Sequence, residues 1–134
     1  MNTAPYLAVS NKFRVTVRPQ FLVNQSKPQE DQFVWSYTIT IENLGRETAT
    51  LKTRHWQITD ARGHTQEVNG DGVVGEQPTL APGESFQYTS GCPLSTPSGI
   101  MVGQYGMVGE DGRSFTIAVP AFSLDSPHDS PRMN

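Results

Sequence analysis

The sequence holds a single cysteine, Cys92, among 134 residues. That excludes an intramolecular disulfide and leads to the expectation of a reducing, cytoplasmic compartment. No stretch approaches the roughly 18 uninterrupted apolar residues of a membrane span, so no insertion into a bilayer is expected. The first ten residues lack the basic and apolar regions of a secretory leader, and no such leader is expected. Glycine is missing before Gly45, so strands in the first third would run without glycine kinks. Positive charge is scarce: Lys and Arg total 10 against 13 Asp and Glu, a net charge of −3. Between Gly63 and Gly112 there is no Lys or Arg at all. Non-specific nucleic-acid binding depends on positive charge and is not expected here. At this length one domain is expected, burying about two thirds of its surface without help from metals or disulfides.

What remains is alternation. Phe13, Val15 and Val17 point one way while Lys12, Arg14, Thr16 and Arg18 point the other, as a half-buried strand requires. Pro19 cannot donate a ladder hydrogen bond and places this strand at an edge, or ends it. Asn24 to Asp31 is polar, carries Pro28 and is expected as loop. Phe33, Trp35, Tyr37, Ile39 and Ile41 form the clearest strand in the chain, with Ser36, Thr38, Thr40 and Glu42 outward. Ala49 to Asp60 changes its apolar phase between Leu51 and Trp56, which predicts a bulge near Thr53 to His55. Shorter strands are expected at Thr65 to Val68 and Ser85 to Ser90, separated by a loop from Asn69 to Glu84. Ile100 to Val108 and Arg113 to Val119 pair across Glu110-Asp111-Gly112, an Asp-Gly hairpin signal. No segment shows a 3.6-residue period. About seven strands predict an all-β fold, an antiparallel two-sheet sandwich of fibronectin type III or immunoglobulin kind. The immunoglobulin cysteine pair is absent, which favours the fibronectin-like variant. The domain is set at residues 7–124, and 125–134, with Pro127 and Pro131, is expected to be a disordered tail.

Chemistry-bearing patterns are few. Gly70-Asp71-Gly72-Val73-Val74-Gly75 is a literal G-x-G-x-x-G. In dinucleotide-binding proteins that motif leads from a strand into a helix N-terminus, whose amides meet the pyrophosphate. Here Pro78, Pro82 and Gly83 follow, and a helix interior cannot accommodate them. The local lack of cations weighs against phosphate too, although a distant arginine could fold close by. The favoured expectation is a glycine loop bending around one end of the sandwich; phosphate binding and a loop that meets a protein partner remain open. Val73 and Val74 are expected to tuck under the sandwich end or, if exposed, to form a contact point. Asp71 and Glu76 would frame that contact and favour a basic partner. His55, His64 and His128 are scattered and make no tetrahedral set with Cys92, so no metal site and no cofactor are assigned. A thiol in Ser90-Gly91-Cys92-Pro93 lacks a marked base, and no catalytic residue is assigned. Lys12, Arg14 and Arg18 read as a basic stripe, either a solvated face or a dock for an acidic partner.

Several runs carry a family resemblance: Arg54-His55-Trp56-Gln57-Ile58-Thr59-Asp60, then Gly70 to Pro78, Leu80-Ala81-Pro82-Gly83-Glu84, Tyr88-Thr89-Ser90-Gly91-Cys92, Thr96-Pro97-Ser98-Gly99 and Pro120-Ala121-Phe122-Ser123-Leu124. Across residues 12 to 124 the chain resembles the ApaG family. The resemblance implies a single-domain bacterial protein with a fibronectin type III-like sandwich. It further implies a link to cobalt resistance and magnesium efflux, and a gene that accompanies one for diadenosine tetraphosphate hydrolysis. Similar domains in eukaryotic F-box proteins and in a polymerase-delta-interacting protein imply protein contact. For the glycine motif, here Gly70, Gly72 and Gly75, the resemblance implies a suspected pyrophosphate site. An efflux pump is excluded for a chain with nothing to span a bilayer. The resulting expectation is a non-enzymatic interaction module with an unidentified protein partner, its candidate site being Gly70, Asp71, Gly72, Val73, Val74, Gly75 and Glu76. The alternative is a small-ligand module for a nucleotide or divalent ion at that loop, and a hydrolase is the third class.

Overall fold

The strongest alternation in the sequence becomes the middle of a sheet. Phe33, Trp35, Tyr37, Ile39 and Ile41 are all buried on one face. Their intervening neighbours lie on the opposite face of the same strand. The structure, a computed structural model, describes residues 4–129. Its strands are β1 (Tyr6–Ser10), β2 (Phe13–Phe21), β3 (Phe33–Asn43), β4 (Ala49–Asp60), β5 (Thr65–Asp71), β6 (Thr79–Leu80), β7 (Ser85–Leu94), β8 (Gly99–Gly109) and β9 (Ser114–Leu124). One antiparallel sheet runs β1-β2-β3-β7; the other runs β5-β4-β8-β9, with β6 also on β4. Two 3-10 turns, Val23–Gln25 and Pro28–Glu30, fill the connection from β2 to β3. The two inner faces form an aromatic core in which Phe122 of β9 meets the rings of Tyr6, Tyr37 and Trp56.

The all-β sandwich is as expected, with nine strands where about seven were predicted. The first addition is β1. Its return into β2 is made by Asn11 and Lys12, both at positive φ (46° and 65°), so Lys12 belongs to the turn and not to the β2 stripe. Because β1 pairs β2 from Phe13 to Val17, β2 is interior there and is an edge only from Arg18 onward. Pro19 therefore sits where no partner on that side asks for its missing N–H. Arg14 is not a free cation either, since its fork bonds both Glu42 carboxylate oxygens at 2.9 and 2.8 Å.

The second addition lies in what the sequence presented as one long loop. Asn69, Gly70 and Asp71 extend β5, and Thr79 and Leu80 form β6, leaving a connection from Gly72 to Pro78. Both short strands lie along the same edge of β4, so they behave as one interrupted strand. The interruption faces the β4 bulge, which falls between Leu51 and Thr53, slightly before the predicted position. Bulged Lys52 presents its carbonyl to the Gly72 N–H at 2.8 Å and to the Gln77 amide at 2.9 Å. The sequence hid this arrangement because β5 is mostly exposed and carries no apolar alternation.

Beyond β9, the Trp35 indole N–H donates to the Asp125 carbonyl at 2.7 Å, and Ser126 Oγ donates to the Pro97 carbonyl at 2.6 Å. The His128 ring lies 5.8 Å from that of Phe21. Residues 130–134 of the expected tail lie outside the described residues.

Candidate functional site

Each glycine of the G-x-G-x-x-G run has its own physical reason. Gly70 sits in β5 opposite Arg54 of β4. A Cβ there would lie 2.7 Å from the guanidinium carbon, so only glycine lets the guanidinium rest against the strand. Gly72 has φ 63°, and a Cβ would overlap the Glu76 carbonyl. Gly75 has φ 81° in open space and is required by the turn alone. In that turn the Val73 N–H donates to Glu76 O at 2.8 Å and the Glu76 N–H returns to Val73 O at 2.9 Å. Val74 (φ 44°) and Gly75 are both left-handed, the geometry of a type I′ turn. The run thus continues into β6 and supplies no helix N-terminus.

The two valines, expected to share one fate, divide. Val73 is 1% exposed and plugs the end of the core, whereas Val74 is 55% exposed at the tip. A β-branched residue in the left-handed region is strained by about 1–3 kcal/mol. Asp71 and Glu76 are exposed on either side of it, as the sequence suggested.

The missing cation arrives from β4. Arg54 Nη1 donates to the carbonyls of Asp71 and Gly72, each at 2.9 Å, and so pins the turn to the sheet. No carboxylate pairs with Arg54 among the described residues. Its side chain lines a cleft of about 400 Å³ between β5 and β7, together with Tyr37, Trp56, Val68, Tyr88 and Cys92. Val74 and Gly75 of the turn close one end of that cleft. Reasoning from sequence missed Arg54 as a site residue because it lies 16 positions before Gly70; its one signal was its place at the head of the Arg54-to-Asp60 run.

The other chemistry-bearing side chains are held in structural contacts. His55 Nδ1 meets Asn69 Oδ1 at 2.6 Å and its Nε2 lies 3.3 Å from Glu67. The Tyr88 and Tyr105 hydroxyls bond each other inside the core, and burial raises the pKa of both. Burial also pushes the Cys92 thiol up to about 11, the opposite of what a nucleophile needs. Among the described residues no three His, Cys, Asp or Glu side chains gather as a metal set. Among those residues no helix is long and apolar enough to cross a membrane.

A family model described as the ApaG domain matches residues 23–109, from the turn after β2 through β8. The chain belongs to the ApaG family. Protein ApaG of Rhodospirillum centenum is 61% identical over 129 residues, covering 96% of this chain and 99% of the relative. Protein ApaG of Bradyrhizobium diazoefficiens is 60% identical over the same shares. A crystal structure of the putative ApaA protein from Bordetella pertussis superposes with a TM-score of 0.83 at 46% identity, covering 94% of this chain and 98% of that one. Within this ApaG domain the matched segment includes Arg54, the glycine turn and the β7 wall of the cleft.

Proposed function

We propose that this ApaG domain is a non-enzymatic binding module whose partner protein docks on the Gly70–Glu76 turn and the mouth of the adjoining cleft. The observation that carries this reading is Val74, a β-branched residue held left-handed yet more than half exposed. Strain at an exposed apolar tip stabilises nothing in the isolated domain, and such strain gathers at sites of contact. Val73 anchors the turn from below and Arg54 from the side, so the tip is presented on a rigid base. Asp71 and Glu76 flank it and favour a partner with basic groups around its contact point. The absence of catalysis in this reading is supported by the buried, high-pKa thiol of Cys92.

The link to cobalt and magnesium levels belongs to the same reading. It would act through the partner, since no metal set gathers among the described residues. Cytoplasmic residence is the matching proposal, supported by the single unpaired thiol. Capture from cell lysate tests the reading. The Asp71→Lys/Glu76→Lys variant is expected to melt with the parent protein and to lose the partner that the parent recovers. Equal recovery by both would remove the turn from the binding surface.

A further inference from the structure

The cleft has a second property that the turn alone does not explain: it is bordered by an unpaired strand edge. Among the described residues β7 pairs only with β3. Val34 of β3 turns its N–H to Ser26 Oγ and its C=O to the Leu22 N–H, both on the β2 side. By alternation Ser36, Thr38 and Thr40 do the same, so their opposite numbers on β7 are not bonded to β3. Gly91, Thr89 and Gln87 therefore direct their own N–H and C=O groups to the open edge. Side chains of the residues between them, Tyr88, Ser90 and Cys92, face the cleft. An exposed edge of this kind is a template for another strand.

Arg54 supplies the other half of the site. Nη1 is tied to two carbonyls, while Nε and Nη2 have no partner among the described residues. No buried side-chain nitrogen is left unsatisfied there, so these two donors are open to solvent. The Nε–Nη2 side of a guanidinium is the fork that matches a carboxylate. Trp56 and Ile58 follow Arg54 on the same face of β4, and Val68 faces them from β5, so apolar wall begins next to the fork. No acidic side chain lines the cleft: Glu67 lies on the opposite face of β5 against His55, and Asp71 and Glu76 are exposed beside the turn. Arg54 is the one charged side chain lining the cleft, and a lone guanidinium matches a single negative charge better than a polyphosphate.

We propose that this edge takes the carboxy-terminal end of an extended peptide. The peptide backbone adds to β7 as a further strand, and the α-carboxylate of an apolar last residue meets Nε and Nη2 of Arg54. A terminal residue fits because its carboxylate and its side chain share one Cα, which matches a fork lying beside an apolar wall. The inference rests on the reading of the glycine turn as a partner site and names the chemistry that site recognises.

The test uses the whole domain and a pool of hexapeptides randomised at the last four positions, with free or amidated carboxy termini. The free-acid pool is expected to yield binders with an apolar last residue and the amidated pool none. For a selected peptide, amidation is expected to weaken binding about tenfold or more, as loss of a charge-assisted fork should. Arg54→Gln is expected to lose the same factor and to stop distinguishing acid from amide, with its fold checked by its melting temperature. Arg54→Lys, which keeps charge and stem but not the fork, carries the same comparison if Arg54→Gln melts early. N-methylation of one alternate set of peptide amides should abolish binding while the other set is tolerated. Failure of the free-acid pool to enrich, equal binding of acid and amide, indifference to both N-methyl sets, or displacement of the peptide by ADP at equal concentration would each overturn the proposal. If the Asp71→Lys/Glu76→Lys variant loses its lysate partner while the peptide experiments fail, the turn stands as a partner site and the strand-edge proposal falls. If neither experiment shows an effect, both fall.

Discussion

On one flank of the sandwich, β1 and β2 lie against β9 and side chains stitch the sheets together. The Ala118 N–H donates to Ser10 Oγ at 2.8 Å, and Asn11 Nδ2 donates to the Thr116 carbonyl at 2.5 Å. The β9 edge is thereby capped at Thr116 and Ala118, which is how sheet proteins avoid unwanted pairing. On the other flank, β7 and β5 face each other across the cleft with no such stitches among the described residues. What stands there instead is a strained turn, a guanidinium with two free donors and a row of unpaired backbone groups. Both flanks draw on one shared core, so the difference between them is not one of burial. It lies in how each flank treats its edge, covered in one case and kept open in the other.

The largest effect should come from the core that both flanks share. Trp35→Ala is expected to cost about 3–5 kcal/mol in chemical denaturation, by leaving a cavity and freeing the Asp125 carbonyl. A variant as stable as the parent would mean that the two sheets are not held as described. On the open flank, Gly72→Ala should cost about 1–3 kcal/mol, because the backbone is left-handed and its Cβ would overlap the Glu76 carbonyl. Gly75→Ala, in open space, should cost less, about 1–2 kcal/mol from its backbone geometry alone. If Gly75→Ala proves the more damaging of the pair, the turn is packed differently.

The comparison sharpens with a pair of smaller changes, one on each flank. Val74→Asn places Asn-Gly at the centre of a type I′ turn and should raise stability by about 1 kcal/mol while reducing partner capture. Ser10→Ala on the stitched flank should lower stability by about 0.5–1.5 kcal/mol and leave capture unchanged. Stability gained without loss of capture at Val74 would show that the strain there serves no contact. The smallest effect concerns the outer face of the β1-β2-β3-β7 sheet. Hydrogen bonding to Arg14 holds the Glu42 carboxyl below its usual range. A carboxyl depressed in the folded state stabilises above its unfolded pKa, and that contribution fades as pH falls through the folded value. The melting-temperature gap between parent and Glu42→Gln should therefore be largest near neutrality and close below about pH 4.

How much of this was legible differs between the same two flanks. The β3 alternation and the Asp-Gly hairpin between β8 and β9 announced themselves, because side chains of a half-buried strand must alternate and a tight hairpin must accept positive φ. β1 escaped notice because its exposed Leu7 and Val9 blur the alternation of a five-residue strand. β6 and the last three residues of β5 escaped because an exposed edge strand has no buried face to mark it. Of the candidate site, the glycine turn and its flanking acids were readable as a motif. The fates of Val73 and Val74 were not, since both are apolar and only their position in the turn separates them.

The amino-acid sequence by itself determined the all-β class and the buried face of β3, because periodicity and burial along a strand are local matters of side-chain direction. It also determined that the glycine run could not open a helix, since Pro78, Pro82 and Gly83 forbid one. Only the tertiary structure decided where Arg54 would stand and which edges would be covered. Those outcomes depend on strand order and on the bulge at Lys52, which set residues far apart in the chain side by side. A guanidinium has no preferred partner until the fold chooses its neighbours, and here the fold gave it two carbonyls and left its fork free.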